Sequence, residues 1–104
     1  MPNQPVTCKV LTVVLPREID FTNADQLCDD LCARAGSGID VLVADMTGTR
    51  FCDSTGFRML LVVHDRLAER AVQLEVVLHP DQPVMRALKL IGFDHVLRLS
   101  LAAA

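Results

Sequence analysis

The amino-acid sequence predicts an α/β domain in which helices pack on a largely parallel sheet. Two observations point to this fold class. Segments with strand-like and helix-like apolar patterns alternate along the chain, and a repeated strand–helix–strand order implies right-handed crossovers between parallel strands. With 104 residues, 51% of them hydrophobic, the chain can bury one core and has no room for a second domain. We therefore expect residues 1–104 to form a single domain.

The first strand and the first helix are predicted within residues 10–38. Residues 10–15 are rich in branched apolar side chains and end at Pro16, which is typical of a strand. Thr22 and Asp25 fit a capping box at the start of a helix. Apolar side chains then recur at positions 24, 27, 28, 31 and 35, and the glycines at 36 and 38 end the helix.

The middle of the chain predicts a second strand and a second helix. Residues 39–44 are almost continuously apolar, which predicts a strand covered on both faces. After a polar loop and a short extended segment at 51–52, residues 53–56 open a helix with an apolar stripe at positions 57, 60, 61, 67, 68 and 71. Met59, Val62 and Val63 add apolar side chains on its flank, where they are either covered by neighbouring helices or available for docking.

The last third of the chain predicts a strand, a helix and a final strand. In residues 72–79, apolar side chains at 74, 76 and 78 alternate with Gln73, Glu75 and Val77, which predicts a strand. Residues 81–83 start a third helix, which stops at Gly92. Residues 95–99 form the last strand. The apolar face of this third helix carries Val84, Ala87, Leu88 and Ile91.

Composition and charge exclude several classes of function. The net charge is −3, and the chain has no Trp or Tyr and only four Phe, so it lacks the basic and aromatic surface of a nucleic-acid-binding protein. The N-terminal residues lack the basic start and apolar run of an export signal. The longest apolar stretch, residues 59–63, is far shorter than a membrane span. We expect a cytoplasmic protein without nucleic-acid or membrane partners.

The four cysteines point to a reducing compartment. Cys8, Cys28, Cys32 and Cys52 form no CxxC pair, and the three histidines are scattered instead of standing at metal-ligand spacing. We expect reduced thiols that pack as small apolar side chains. No metal or other cofactor is predicted.

The start of the second helix is the candidate functional site. Unpaired amide hydrogens and the positive end of the helix dipole gather there beside the hydroxyl of Ser54, and they would favour an added phosphate. Alternatively, Ser54 is an N-cap whose hydroxyl satisfies a backbone amide. A serine nucleophile is disfavoured, because no GxSxG elbow surrounds Ser54 and no His–Asp pair is assignable to activate it. We therefore do not expect an enzyme.

The segment Phe51-Cys-Asp-Ser-Thr-Gly-Phe57 resembles the signature of STAS domains, specifically of the bacterial anti-anti-sigma factors. The strand before it, Leu42-Val-Ala-Asp-Met46, and the apolar helix after it fit the same family. Residues 11–20, 74–78 and 84–93 extend the resemblance over most of the chain. The resemblance implies a STAS-like fold, with a mixed, mostly parallel sheet of four to five strands and three or more helices packed on it.

The resemblance also implies a partner-switching function in stress-response signalling. In the family, the unphosphorylated protein binds an anti-sigma factor and so releases a sigma factor for transcription. That anti-sigma factor is also a serine kinase, which phosphorylates the serine after the Asp of the motif and so switches binding off; a serine phosphatase restores it. In this sequence the serine is Ser54. A phosphate would add about −1.5 to −2 charges beside Asp53, and a coupling of ~3 kcal/mol would lower affinity about a hundredfold.

The resemblance and the helix pattern together predict the partner-binding residues. Asp20 and Asp53 match the acidic positions that flank the phosphoacceptor, although Asp53 could also be only a helix-start charge favoured by the dipole. Arg58 stands where the family often has Gly, and could pair with Asp53, hold a phosphate or select a different partner. Residues 6–9 retain little of the family's first strand. This leaves a sheet edge that could promote self-association, so we expect a monomer or a weak homodimer. The predicted partner-binding residues are Asp20, Asp53, Thr55, Gly56, Arg58, Met59 and Val62.

Two other functions remain open from the sequence. The chain could be a non-phosphorylated STAS subunit that supports a transporter or a signalling complex, with Ser54 as a plain cap. It could also bind a small molecule or nucleotide, using the helix start at Ser54 as an anion site. The second alternative lacks the glycine and lysine spacing of a P-loop.

Overall fold

The computed structural model describes residues 7–36 and 38–102. Within those residues it contains six strands, three helices and one turn of 3-10 helix at Phe93–His95. In chain order the strands and helices are β1 (Val10–Val14), β2 (Glu18–Ile19), α1 (Ala24–Arg34), β3 (Val41–Asp45), β4 (Phe51–Cys52), α2 (Ser54–Ala68), β5 (Gln73–Leu78), α3 (Pro83–Leu90) and β6 (Arg98–Leu101).

Four strands form the main sheet in the order β1-β3-β5-β6, and every neighbouring pair is parallel. Because this order follows the chain without reversal, right-handed crossovers place all three helices on the same face. Burial agrees: the buried side chains on β3 and β5 alternate with more exposed ones, and they are Leu42, Ala44, Leu74, Val76 and Leu78. The predicted α/β fold, with a mostly parallel sheet and three helices, is confirmed.

The core lies between the sheet and this single layer of helices. Helix α2 contributes a fully buried stripe, Leu60, Val63 and Leu67, and burying each of these side chains is worth about 1.5–3 kcal/mol. On α1, Cys28 and Cys32 are also buried among apolar side chains. Burial is the main factor that raises the pKa of the Cys28 thiol. The stripe therefore holds α2 firmly in one orientation on the sheet.

The prediction that the strand at 39–44 is covered on both faces is wrong. Val41 and Val43 are half-buried, whereas Leu42 and Ala44 are fully buried. In residues 7–36 and 38–102, no helix lies over the face that carries Val41 and Val43. Branched apolar residues favour the pleated backbone as well as burial, so an apolar run alone did not distinguish a two-faced from a one-faced strand.

The capping box predicted at Thr22 is also wrong. Helix α1 begins at Ala24 with Asn23 as its N-cap residue. Thr22 instead donates both its backbone N–H and its hydroxyl to Oδ1 of Asp20, and Asn23 Nδ2 donates to the carbonyl of Glu18 at 2.8 Å. The polar side chains before α1 therefore form a turn that follows β2 and do not cap the helix.

The C-terminal predictions need two corrections, and the weak first strand expected at the N-terminus can be compared with the described residues. Ile91 is the C-cap of α3 and is 50% exposed, so it does not belong to the buried face of that helix, whereas Met85 does. The last strand, β6, begins at Arg98, because a turn of 3-10 helix occupies Phe93–His95. Of the strand remnant expected at residues 6–9, residue 6 lies outside the described residues and the other three are not in a strand.

Strands β2 and β4 form a separate two-stranded parallel ribbon that the sequence did not predict as a sheet. Ile19 pairs with Cys52, and both side chains point into the core. Helix α2 passes so close to the ribbon that a Cβ on Gly56 would lie 2.5 Å from Cys52 Sγ and 2.8 Å from Ile19 Cγ2. Only a glycine at this position lets the first turn of α2 rest against the ribbon.

We expect the Gly56→Ala substitution to lower the free energy of unfolding by about 1–3 kcal/mol, because the added methyl group overpacks the contact with the ribbon. In an unhindered helix the same change would be favourable by about 1 kcal/mol, so the sign of the effect is informative. Gly48→Ala is the matched control, since a Cβ there meets nothing within 4 Å. Urea unfolding of both variants measures the difference; equal stabilities would contradict the close contact.

Candidate functional site

The first turn of α2 is organised by Asp53, which occupies the N-cap position in an extended conformation (φ −89°, ψ −176°). Its Oδ1 accepts a hydrogen bond from the backbone N–H of Gly56 at 3.0 Å, and its carbonyl accepts from the N–H of Phe57 at 3.0 Å. The N–H of Asp53 donates to the carbonyl of Ile19 at 3.1 Å. The cap is therefore fixed both to the helix and to the β2–β4 ribbon.

Ser54 is the first residue of α2, and its side chain is exposed. No side chain or backbone group of the described residues hydrogen-bonds to its hydroxyl, whereas the capping bond to Gly56 comes from Asp53. The position that a capping serine would occupy is thus taken by the preceding aspartate. The Ser54 hydroxyl is left on the surface beside the positive end of the helix dipole.

An apolar groove lies beside Ser54, between α2 and the end of α3. We call it the α2–α3 groove; its volume is about 510 Å³. The rings of Phe57 and Phe93 meet edge to face, with centroids 6.1 Å apart and an interplanar angle of 80°. Gly92 (φ +81°) turns the chain after α3 and brings Phe93 towards α2. The residues that line the groove are Ser54, Phe57, Arg58, Leu61, Ile91 and Phe93.

The two predicted acidic residues emerge side by side at the end of the ribbon. Because Ile19 pairs with Cys52 in parallel register, Asp20 and Asp53 follow neighbouring strands, which lie about 4.8 Å apart. Hydrogen bonds from the hydroxyl and then the backbone N–H of Thr22 lower the pKa of Asp20. Asp20 therefore stays ionised near neutral pH and carries a negative charge at the end of the ribbon.

The structure separates the other predicted partner-binding residues into two groups. Arg58 is exposed, and Thr55 and Val62 are half-buried along a second groove, between α1 and α2. Gly56 is buried, and Met59 is only 4% exposed. Gly56 thus serves the contact with the ribbon, and Met59 belongs mostly to the core, which differs from the surface position expected for both.

Several exposed apolar side chains near the helix start were not predicted from the sequence. Phe21 is 77% exposed and Phe51 is 52% exposed, and they belong to the turn after β2 and to β4. Ile91 and Phe93 line the α2–α3 groove. The sequence signal for these exposed residues was weak: aromatic side chains stand close to the acidic positions. On the two-residue strand β4, Phe51 is exposed because its neighbour Cys52 faces the core.

Other chemistries find no support in the part of the chain that the structure describes. No group of three or more His, Cys, Asp or Glu side chains there could hold a metal ion. Among the same residues, no helix combines the length and apolar character needed to cross a bilayer. Burial raises the pKa of the Cys52 thiol to about 12, with a smaller contribution from Asp53. That thiol is therefore neutral and unreactive at physiological pH.

Comparisons with known proteins agree with this fold. The family model described as "STAS domain" matches residues 1–104. The anti-sigma factor antagonist SpoIIAA in its unphosphorylated form is structurally similar, with a TM-score of 0.66 at 19% identity over 96% of this chain and 86% of that one. A putative anti-sigma factor antagonist from Thermotoga maritima has a TM-score of 0.69 at 15% identity, over 88% of this chain and 80% of its own. No curated protein matches the sequence.

We expect Asp53→Ala to lower the free energy of unfolding by about 1 kcal/mol, because it removes the cap of α2. Ser54→Ala should change that free energy by less than about 0.5 kcal/mol, as is usual for a surface substitution. Both values come from urea unfolding monitored by circular dichroism. The reverse order, with Ser54→Ala the more destabilising, would show that the serine hydroxyl is the true cap.

We also expect Cys52 to make the stability depend on pH in alkaline solution. In the unfolded chain the thiol ionises near its ordinary pKa of 9.0, whereas in the folded chain it stays neutral up to about pH 12. The contribution is complete below pH 9 and decreases as the pH rises from about 9 to about 12, with a slope of up to about 1.4 kcal/mol per pH unit. Unfolding under reducing conditions should give a shallower pH dependence for Cys52→Ala than for the wild type; parallel curves would refute the assignment.

Proposed function

Because the chain belongs to the STAS domain family, we propose that it acts as an anti-sigma factor antagonist whose binding is controlled by phosphorylation of Ser54. The observation that carries the proposal is the hydroxyl of Ser54, which is exposed at the start of α2 and has no hydrogen-bond partner among the described residues, while Asp53 caps the helix. A hydroxyl that makes no stabilising hydrogen bond within the fold can be phosphorylated without disturbing it.

In the unphosphorylated state, the partner contacts the start of α2 and the α2–α3 groove. The apolar walls of the groove, including Leu61 and Phe93, supply the hydrophobic part of the interface, which is the main driving force for association. Asp53 at the helix start and Asp20 at the end of the neighbouring strand supply charged contacts, which favour fast association and selection of the right partner. The partner is an anti-sigma factor, which releases its sigma factor when this chain binds.

Phosphorylation switches this contact off by adding charge at the interface. The partner, acting as a serine kinase, supplies ATP; the Ser54 oxygen attacks the γ-phosphorus, ADP leaves, and the hydroxyl proton passes to a base of the kinase. The phosphate adds about −1.5 to −2 charges next to Asp53 and Asp20. Repulsion and the cost of desolvating the phosphate then oppose the complex. A serine phosphatase reverses the step by hydrolysis of the phosphate ester, and this chain is a substrate in both reactions and a catalyst in neither.

In this function the protein acts in the cytoplasm. An anti-sigma factor, its sigma factor and ATP are found together in the bacterial cytoplasm, and the buried, reduced Cys28, Cys32 and Cys52 suit a reducing compartment. Monomers or weak homodimers suffice, because the proposed contacts belong to one copy of the chain.

The test combines phosphorylation and binding. The chain and its Ser54→Ala variant are incubated with ATP and each anti-sigma factor kinase of the same genome, and intact mass reports phosphate transfer. We expect phosphate on the wild type and none on Ser54→Ala. Ser54→Asp should bind the same kinase at least about tenfold more weakly, since one added charge imitates part of the phosphate.

The control for the binding arm is Thr12→Asp, which adds the same charge to an exposed position on the opposite side of the sheet. This variant should bind as the wild type does. If no kinase modifies Ser54 and Ser54→Asp still binds every partner with unchanged affinity, the switch is refuted and the non-phosphorylated STAS subunit becomes the better description. Nucleotide affinity of the chain alone would instead select the anion-site function.

A further inference from the structure

We propose that Arg58 determines which partner the α2–α3 groove accepts and also detects the phosphate on Ser54. The partner segment that fits is amphipathic, with apolar side chains for the groove and a carboxylate that pairs with Arg58. When Ser54 is phosphorylated, the phosphate takes Arg58 away from that carboxylate. This inference rests on the proposed function, because it describes the partner and the regulation of the same site.

The chemistry of the groove argues for an apolar segment with one acidic group. Among the six lining residues, only Arg58 is charged, and Phe57, Leu61, Ile91 and Phe93 make the remaining wall almost entirely apolar. Half of the Ile91 surface is exposed to solvent in the free chain. A partner that covered these side chains would also desolvate the guanidinium group, which favours a carboxylate opposite it.

Arg58 is available for such a pair. No ion pair among the described residues includes it: Arg66 pairs with Asp29, and the contacts of His64 with Asp65 and of His95 with Asp94 are ion pairs only when the histidine is protonated. Arg58 also borders the groove between α1 and α2, where Asp25 and Asp29 lie, but it makes no ion pair with either. Its guanidinium group is therefore a cation without an ion-pair partner among the described residues, and it lies where the two grooves meet.

The helix geometry places Arg58 within reach of a phosphate on Ser54. The two residues are four positions apart on α2, and both are exposed. Side chains with this spacing lie on the same face, one turn apart. A phosphate on the first residue of the helix can accept hydrogen bonds from the planar guanidinium in the fork geometry that arginine favours.

The partner carboxylate and the phosphate on Ser54 compete for Arg58. Phosphorylation therefore weakens binding in two ways: the phosphate repels the partner carboxylate, and it attracts Arg58 away from it. The phosphate adds negative charge at the edge of the groove and simultaneously neutralises the group that would hold the partner carboxylate. Binding of the partner and pairing with the phosphate must then oppose each other by the same factor. Arg58 thereby increases the difference in affinity between the two forms of the chain.

The phosphate arm is tested without any kinase, on protein in which phosphoserine is installed at position 54 during translation. The readout is the second pKa of the phosphate, ordinarily about 6, measured by phosphorus NMR. A nearby cation favours the dianion, so the pKa should be about half a pH unit or more lower in the wild type than in Arg58→Gln. Arg86→Gln is the matched control, because Arg86 is exposed on α3 and does not line the groove. Equal pKa values in all three proteins would overturn the proposal.

The carboxylate arm is tested on the unphosphorylated chain with the anti-sigma factor that modifies Ser54. Arg58→Gln should weaken binding about tenfold, Arg58→Glu should weaken it further, and Arg86→Gln should leave it unchanged. An Asp or Glu to Lys change in the partner should restore binding to Arg58→Glu. Unchanged affinity of Arg58→Glu would overturn the partner assignment while leaving the phosphorylation of Ser54 intact. Because the NMR arm uses no kinase, failure of the proposed function and failure of this inference give different results.

Discussion

The close contact between Gly56 and the β2–β4 ribbon is the constraint on which the rest of the site depends. It sets the position of the first turn of α2, and the hydrogen bond from Asp53 N–H to the Ile19 carbonyl fixes where that turn begins. Asp53 is held as the cap, and the next residue, Ser54, is exposed. Ser54 is therefore not needed as a cap, because Gly56 lets the helix rest against the ribbon and Asp53 accepts a hydrogen bond from the Gly56 amide in the first turn.

Helix α2 has a buried side that packs on the sheet and an exposed side that carries Ser54. Its buried stripe anchors it to the sheet, while Ser54 and Arg58 lie on the exposed side next to the α2–α3 groove. A charge added at Ser54 would change the electrostatics of a surface whose shape is already set, and no rearrangement of the fold is required for it to act. In the function we propose, the switch consequently depends on charge and desolvation at the interface and not on a conformational transition.

The start of α2 shows which features of the site the local sequence could predict and which it could not. The motif at 53–56 indicated a helix start, because Asp, Ser and Thr are all favoured there, but it could not say which of them caps. That choice was made by the ribbon, through a partner, Ile19, that lies far away in sequence. The same limit applies to Gly56 and Met59: the place of Gly56 in the motif and of Met59 on the flank of the helix suggested a surface, and contacts with distant elements buried them.

The sequence by itself determined the alternation of the main strands with the three helices and the largely parallel sheet, since apolar period and turn residues are properties of single segments. Only the tertiary structure decided which apolar side chains remain exposed. Ile91 and Phe93 belong to the groove because α3 ends beside α2, and Val41 is half-buried because α1, α2 and α3 lie on the other face of the sheet. Burial depends on contacts between segments that are distant along the chain, and the apolar periodicity of one segment does not show which other segment packs against it.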